Sequence, residues 1–451
     1  MSSFIKNAAK LKSRYKKLKQ FFREVFYYGC TSDEWIIDFI LIPFVTINWK
    51  LEPTWFRMIA PPGSGKTAHL SLLDGHPLAY SVDEFTPKSF VSGYRGLGED
   101  PSKVKDFDGK VLIISDESTL MEQRQEDRNL IMSLFRRCYD GKISKVFGNM
   151  KEKQEYNSYF NLLTGATPQI DRYFLYNQAL GERFMNYRLV IPDREKLAEM
   201  AFDNQFKGID KKKSKLKDQV HIFIDKLPQV DISDVKLVGK VRRKIIDSAN
   251  LISLIRTHVT RDARGRHITT MPQPESAGRL VQQITQTAVA DAIIRGDLEV
   301  KKKHIQKAIF VGLGAITSVT AFVLHKIYLF TCEARGRDDE WFSVQKMTLI
   351  TKLGRNTVQN ILEDLGIHDV LDIKDGKKKG GRALDYRLSK EMREKIESLE
   401  LFAHYVPPSQ KELKQKRKDR DRVAPIKKKI KRKPKNEKQN RKVPRSCLMQ
   451  K

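Results

Sequence analysis

Ala60-Pro61-Pro62-Gly63-Ser64-Gly65-Lys66-Thr67 constrains this chain more than any other stretch. The apolar run Trp55-Phe56-Arg57-Met58-Ile59 before it reads as a buried strand, and Ala68-His69-Leu70-Ser71-Leu72-Leu73 after it begins a helix. A strand that turns through glycines into a helix aims backbone N–H groups inward, where the peptide dipoles favour an anion. The spacing is that of a phosphate-binding loop with Ala60 in place of the first glycine. On this reading residues Ala60 to Thr67 wrap the phosphates of ATP. Lys66 reaches the β- and γ-phosphates, and the Thr67 hydroxyl sits on Mg²⁺.

Val111-Leu112-Ile113-Ile114-Ser115-Asp116-Glu117 is a second apolar strand, ending in two carboxylates fifty residues after Lys66. Asp116 is expected to organise the Mg²⁺ shell and Glu117 to polarise the attacking water. A third apolar run, Tyr159 to Leu163, leads into Thr164-Gly165-Ala166-Thr167-Pro168. A polar side chain at that strand's end would sense the γ-phosphate; Thr167 is the expected residue and Thr164 its rival. In Gly181-Glu182-Arg183-Phe184, Arg183 is suited to reach a neighbouring subunit's γ-phosphate and stabilise transition-state charge. Arg188 is the alternative.

The formal net charge of +30 calls for a polyanionic partner, most simply nucleic acid. Residues 411–451 hold 19 Lys/Arg against 4 Asp/Glu, so this tail carries +15 and the remaining residues another +15. Arg14-Tyr15-Lys16-Lys17-Leu18-Lys19 is a second basic concentration. Four scattered cysteines without a CxxC pair exclude a familiar zinc spacing or a disulfide framework and fit a reducing, cytoplasmic setting. Ala308 to Leu324 carries no charge but falls short of a comfortable membrane span, and is expected to be a buried helix joining two domains. No membrane partner is expected.

The pattern divides the chain into a basic helical segment (1–49), a phosphate-loop core (50–205), a Lys-rich linker (206–240), a helical lid with a connecting helix (241–330), a compact unit (338–400) and a disordered basic tail (405–451). Apolar strands alternating with helical stretches in the core imply an α/β fold with a parallel sheet.

Loop, acidic strand, third strand and Gly-Glu-Arg-Phe, in this order, resemble an AAA+ ATPase. Ile143-Ser144-Lys145, Thr167-Pro168, Asp171-Arg172-Tyr173 and Arg183-Phe184 further resemble the minichromosome-maintenance branch and the helicase-like ATPases of phages and mobile elements. Pro274-Glu275-Ser276-Ala277-Gly278-Arg279-Leu280 is similar to that branch's sensor-2 helix, which implies that Arg279 contacts a γ-phosphate. The resemblance spans roughly residues 50–325. Thr167 stands where the family has Asn, and nothing corresponds to the large N-terminal collar of the cellular proteins.

Lys142 to Phe147, a Gly148-Asn149 turn and Met150 to Lys153 read as a hairpin. Its position matches the hairpin that enters the central channel in the resembling helicases, which implies that Lys145, Lys151 and Lys153 track single-stranded DNA. Leu349 to Gly354, the amphipathic stretch Arg355 to Leu362, and two strands around the Lys374–Arg382 loop read as a winged helix-turn-helix. Arg355, Asn356, Thr357 and Gln359 would meet duplex DNA, with Lys377, Lys378, Lys379 and Arg382 along the adjacent backbone. The expected protein is an oligomeric, hexameric DNA-dependent ATPase, a replicative helicase of a phage or mobile element. The alternatives are a replication initiator or helicase loader, and an ATP-switched DNA-binding regulator.

Overall fold

The structure, a computed structural model, describes residues 3–407 apart from 85, 95–99, 149–151, 174–182, 191–192, 207, 238, 258, 263–266, 271, 335–339 and 377–382. Seven strands fall between residues 55 and 188 of the described chain: β1 Trp55–Ile59, β2 Ala79–Val82, β3 Val111–Ile114, β4 Lys142–Lys145, β5 Gln154–Asn157, β6 Asn161–Ala166 and β7 Phe184–Arg188. Five of them form a sheet in the order β2-β3-β6-β1-β7, every neighbouring pair parallel. Parallel neighbours require crossover connections and both faces covered, and β1, β3 and β6 are buried at every position. The expected α/β fold with a parallel sheet is present.

Alternation along β1 shows what covers each face. Trp55 packs edge-on against Phe135 and Tyr139 of the helix Gln125–Tyr139. Phe56, pointing the other way, packs against Phe39 of the helix Ile36–Thr46, whose eleven residues are all buried. A helix apolar but for Asp38 and Thr46 has to be enclosed. Its C-terminal end is tied to the sheet by Asn161, whose amide donates to the Pro43 carbonyl (2.7 Å) and the Thr46 hydroxyl (2.8 Å).

The helix Ser3–Val25 buries Phe4, Ala8, Leu11, Tyr15, Leu18, Phe22 and Val25, one stripe at alternating spacings of four and three. Against it lies the helix Ile209–Asp225, in a segment expected to be a loop or linker. The lysines at its start suggest solvent, but Leu216, Val220, Phe223 and Ile224 recur at helical spacing and are buried. The lysine run is the exposed face of a helix.

Ala308 to Leu324 is likewise not one helix. Lys302–Leu313 and Ser318–Glu333 meet at 119°, and no single helix among the described residues is long and apolar enough to cross a membrane. The break is tertiary in origin. Gly314 lies so close to β7 that a Cβ there would sit 1.8 Å from the Asn186 carbonyl oxygen. The Arg188 guanidinium then donates to the carbonyls of Gly314 (3.1 Å) and Ile316 (3.1 Å).

Beside these elements lies a closed set of buried charges. Lys307 bridges Asp38 and Asp291, and Arg295 pairs with the same two carboxylates at 2.7 and 3.1 Å. Two acids and two bases cancel, which is what burial of ionised groups requires.

The later residues form β8 Phe342–Ser343, β9 Leu371–Gly376 and β10 Ala383–Leu388, an antiparallel sheet in the order β8-β10-β9. The helices Val344–Thr351, Arg355–Ile367 and Lys390–Leu399 pack on it around Met347, Val358, Leu362, Leu365 and Met392. The turn between the first two helices passes through Lys352 at φ 57°, with Gly354 extended at the start of the second. Residues through Val406 form one compact unit.

Candidate functional site

Every parallel strand of the sheet ends on one edge, so the loops after β1, β3 and β6 emerge together. In open α/β sheets this edge is where ligands bind. Gly63 (φ 74°) and Gly65 (φ 82°) both take left-handed backbone, which lets the loop 60–67 double back on itself. The Lys66 ammonium donates to the carbonyls of Ala60 (2.9 Å) and Pro61 (3.1 Å) at the start of the same loop. Burial lowers its pKa, a pull that nearby Asp116 partly opposes. The Ser64 hydroxyl oxygen is buried and has no hydrogen-bond partner among the described residues. A buried orphan hydroxyl, an ammonium held by carbonyls alone and two left-handed glycines suit a phosphate. Thr67 and Asp116 are both exposed at this edge, available to a hydrated Mg²⁺.

The loop is braced from behind. His69 Nδ1 lies 2.8 Å from the Gly65 carbonyl, so Nδ1 carries the proton and Nε2 accepts from the Tyr28 hydroxyl at 3.1 Å. The imidazole stacks on Phe26 with centroids 3.8 Å apart. Burial pushes the His69 pKa down to about 4. The unfolded chain takes a proton near 6.5 that the folded chain refuses until about 4, so His69 withdraws stability as pH falls through that window. The loss amounts to roughly 2 kcal/mol by pH 5. Urea unfolding at pH 7 and pH 5 measures it, and the His69→Gln protein is expected to show a smaller drop than wild type by that amount.

Glu117 does not stand at the open edge. Its carboxylate turns beneath the sheet, where Arg57 Nε and an Arg57 terminal nitrogen donate to its two oxygens at 2.7 and 2.8 Å. The Thr164 hydroxyl adds a third bond at 2.8 Å. Both charged side chains are 3% exposed. Register explains the meeting: Arg57 of β1 lies between Thr164 of β6 and Asn186 of β7, and Asn186 accepts from the guanidinium at 3.3 Å. Sequence reading placed Arg57 in an apolar strand without giving it a role; a lone charge amid Trp55, Phe56, Met58 and Ile59 was the signal. Thr164 touches Glu117, whereas Thr167 lies one residue beyond β6 and lines a small cavity with Ser118, Met121, Gln169 and Tyr173.

Arg183 and Arg279 lie elsewhere. Phe184 pairs with Trp55, the first residue of β1, so Arg183 sits at the sheet edge opposite the loop, a strand length or about 15 Å away. Its guanidinium lies 5.4 Å from the centroid of the Tyr139 ring, and that of Arg279 lies 5.7 Å from the same centroid. The Tyr139 hydroxyl donates to Glu52 at 3.0 Å, while Gln283 donates to the Arg183 carbonyl at 2.8 Å. Arg183 also faces Asp140 at 3.4 Å, and Arg279 faces Glu275 at 3.3 Å. Tyr139, Glu52 and Gln283 were not anticipated, since only the fold brings them to the arginines. Arg188, by contrast, is on the loop's edge but committed: it grips Asp171 at 2.7 and 3.2 Å besides the carbonyls beyond Leu313.

The expected hairpin forms with a longer turn. Lys142–Lys145 pairs with Gln154–Asn157 rather than with the run ending at Lys153. Lys153 binds Glu155 at 2.5 Å, and Lys145 lies over the Phe147 ring. Lys151 is outside the described residues, as are Gly181, Glu182, Lys377, Lys378, Lys379, Arg382 and the tail from 408 onward. Arg355, Asn356 and Thr357 are exposed at the start of their helix, whereas Gln359 is half-buried and donates to Glu363 at 2.8 Å. A scan against protein-family models finds no match for this chain, and a search of curated proteins finds no relative.

Proposed function

We propose that this chain is an ATP-dependent, DNA-binding motor of the AAA+ type, acting as a ring-forming helicase and turning over ATP between subunits. The observation that carries the reading is the paired placement of Arg183 and Arg279 over Tyr139, at the edge of the sheet that their own loop does not reach. Two cations from distant parts of the chain, oriented together and away from the local loop, suit a nucleotide held by the next subunit. A heterologous contact of this kind closes into a ring.

In this assignment ATP supplies the phosphoryl group. The loop 60–67 holds its phosphates, Lys66 neutralises them, and Thr67 and Asp116 hold Mg²⁺. Arg183 and Arg279 stabilise transition-state charge from the neighbour. The helices Val344–Thr351 and Arg355–Ile367 with β8, β9 and β10 are read as a winged helix that presents Arg355, Asn356 and Thr357 to duplex DNA. Lys145 and Lys153 on the β4–β5 hairpin face single-stranded DNA in the channel.

Subunit mixing tests the shared site. Lys66→Ala and Arg183→Ala proteins are each expected to be inactive alone, one lacking the loop and the other the arginine. Mixed in equal amounts, they should regain up to about a quarter of wild-type turnover, since random rings contain interfaces with both parts intact. No recovery in rings shown to exchange subunits would place both functions in one chain.

The burial of Glu117 favours a second reading. A carboxylate held by Arg57 and Thr164 is not available to water, which suits a protein that binds ATP to change its assembly state rather than to drive unwinding. Strand displacement on a forked duplex separates the two. Unwinding supports the motor, and ATP-dependent assembly on DNA without displacement supports the switch, the loader or the initiator.

A further inference from the structure

The buried stripe of the helix Ser3–Val25 occupies one side, and the rest of its surface is basic. Lys6, Lys10, Lys12, Lys16 and Lys17 are all exposed. The helix Ile209–Asp225 runs antiparallel to it: Tyr15 meets Phe223, while the Lys215 ammonium lies 5.1 Å over the ring of Phe21. This second helix adds Lys211, Lys212, Lys213 and Lys215, again exposed. Among the described residues none of these nine lysines is in an ion pair. Lys19 and Arg23, which do find a partner, share Glu34. Glu24, Asp210, Asp218 and Asp225 are the acids exposed on the same two helices, Asp225 lying 3.2 Å from His76. Like charges gathered on one ridge repel one another, and four acids do not balance nine lysines.

We propose that the outer surface of this helix pair binds the phosphate backbone of duplex DNA without reading its sequence. Three features favour duplex over other polyanions. The apolar stripes of both helices are spent in the core, leaving only Ile5 and Ile222 singly exposed and no apolar face to insert into an anionic bilayer. The aromatic rings of the pair are buried or covered (Tyr15, Phe22 and Phe223 in the core, Phe21 beneath Lys215), so no platform is offered for stacking unpaired bases. Lys6 to Lys17 extend over about 17 Å of the first helix, long enough for its lysines to meet several successive phosphates of one duplex strand. The surface rests on the DNA-binding part of the proposed function and not on the ATPase. It is separate from the hairpin and from the helix Arg355–Ile367.

The test is salt-dependent binding of a fluorescent mixed-sequence duplex by the full chain, read by anisotropy from 50 to 200 mM KCl without nucleotide. Changing Lys10, Lys12, Lys16 and Lys17 together to Gln is expected to make the slope of log affinity against log salt shallower by roughly 3 to 4, at about 0.9 for each phosphate no longer neutralised. A second protein with Lys211, Lys212, Lys213 and Lys215 changed to Gln carries the same expectation, so poor folding of one set does not decide the matter. An unchanged slope in folded protein overturns the proposal. So does a variant that loses binding to phosphatidylserine vesicles or to single strands while its duplex slope stays the same. If the wild-type chain binds no duplex at 50 mM salt, the DNA-binding reading falls with it; if it binds and only the slopes fail to move, this surface alone is refuted. ATPase activity enters neither measurement.

Discussion

Arg183→Ala is expected to leave ATP binding close to wild type and to lower turnover by about 10³-fold or more, the range typical of an arginine supplied across a subunit boundary. Lys66→Ala, in contrast, should remove nucleotide binding itself. The contrast follows from placement. Lys66 is part of the loop, with its ammonium already at the carbonyls of Ala60 and Pro61, whereas Arg183 lies a strand length away over Tyr139. Binding of a fluorescent ATP analogue, alongside steady-state phosphate release, separates the two effects. Normal turnover by Arg183→Ala would remove the arginine from the site. Tyr139 is a positioning residue in this scheme. Its ring lies beside both guanidinium groups, and its hydroxyl is anchored on Glu52.

Arg57→Met should cost the fold about 3–5 kcal/mol, because it leaves the Glu117 carboxylate buried without its cation. Exposure of 3% on both partners and two bonds of 2.7 and 2.8 Å put the pair well outside the range of weak surface salt bridges. The double variant Arg57→Met/Glu117→Leu removes both charges and is expected to recover most of the loss, since an apolar pair of similar volume is often as stable as a buried ion pair. Urea unfolding of the wild type, two single variants and the double variant closes the cycle. Additive losses would show that the two residues do not act as a pair. The same magnitude bears on function. If the motor reading is right, freeing Glu117 for water has to draw on nucleotide, DNA or a neighbouring subunit, and basal turnover should be low in their absence.

How far the sequence could be read depended on how local each cause was. The loop 60–67 and the apolar runs of β1, β3 and β6 are visible because side-chain pattern and turn chemistry act within a few residues. So is the stripe of the first helix. The helix Ile209–Asp225 was obscured because its lysines precede its apolar positions, and a window centred on the lysines shows only charge. The break between Leu313 and Ser318 could not be read, since it is imposed by the close approach of Gly314 to Asn186, 128 residues earlier. The partners of Glu117 are hidden for a related reason: only the register of β1 against β6 brings Arg57 and Thr164 to it. Arg183 and Arg279 were picked out separately, one from its motif and the other from a resemblance, and their common neighbour Tyr139 belongs to the fold alone.

The quartet of Asp38, Asp291, Lys307 and Arg295 has a consequence for how this chain can change over generations. The four residues come from three helices, and no member can be lost singly without stranding an opposite charge in the interior. Acceptable replacements therefore come in matched pairs, an acid departing together with a base. The amino-terminal helices thereby inherit their partners: a homologue that exchanged its first fifty residues for a sequence without an acid at the place of Asp38 would have to give up Lys307 or Arg295 in the same step.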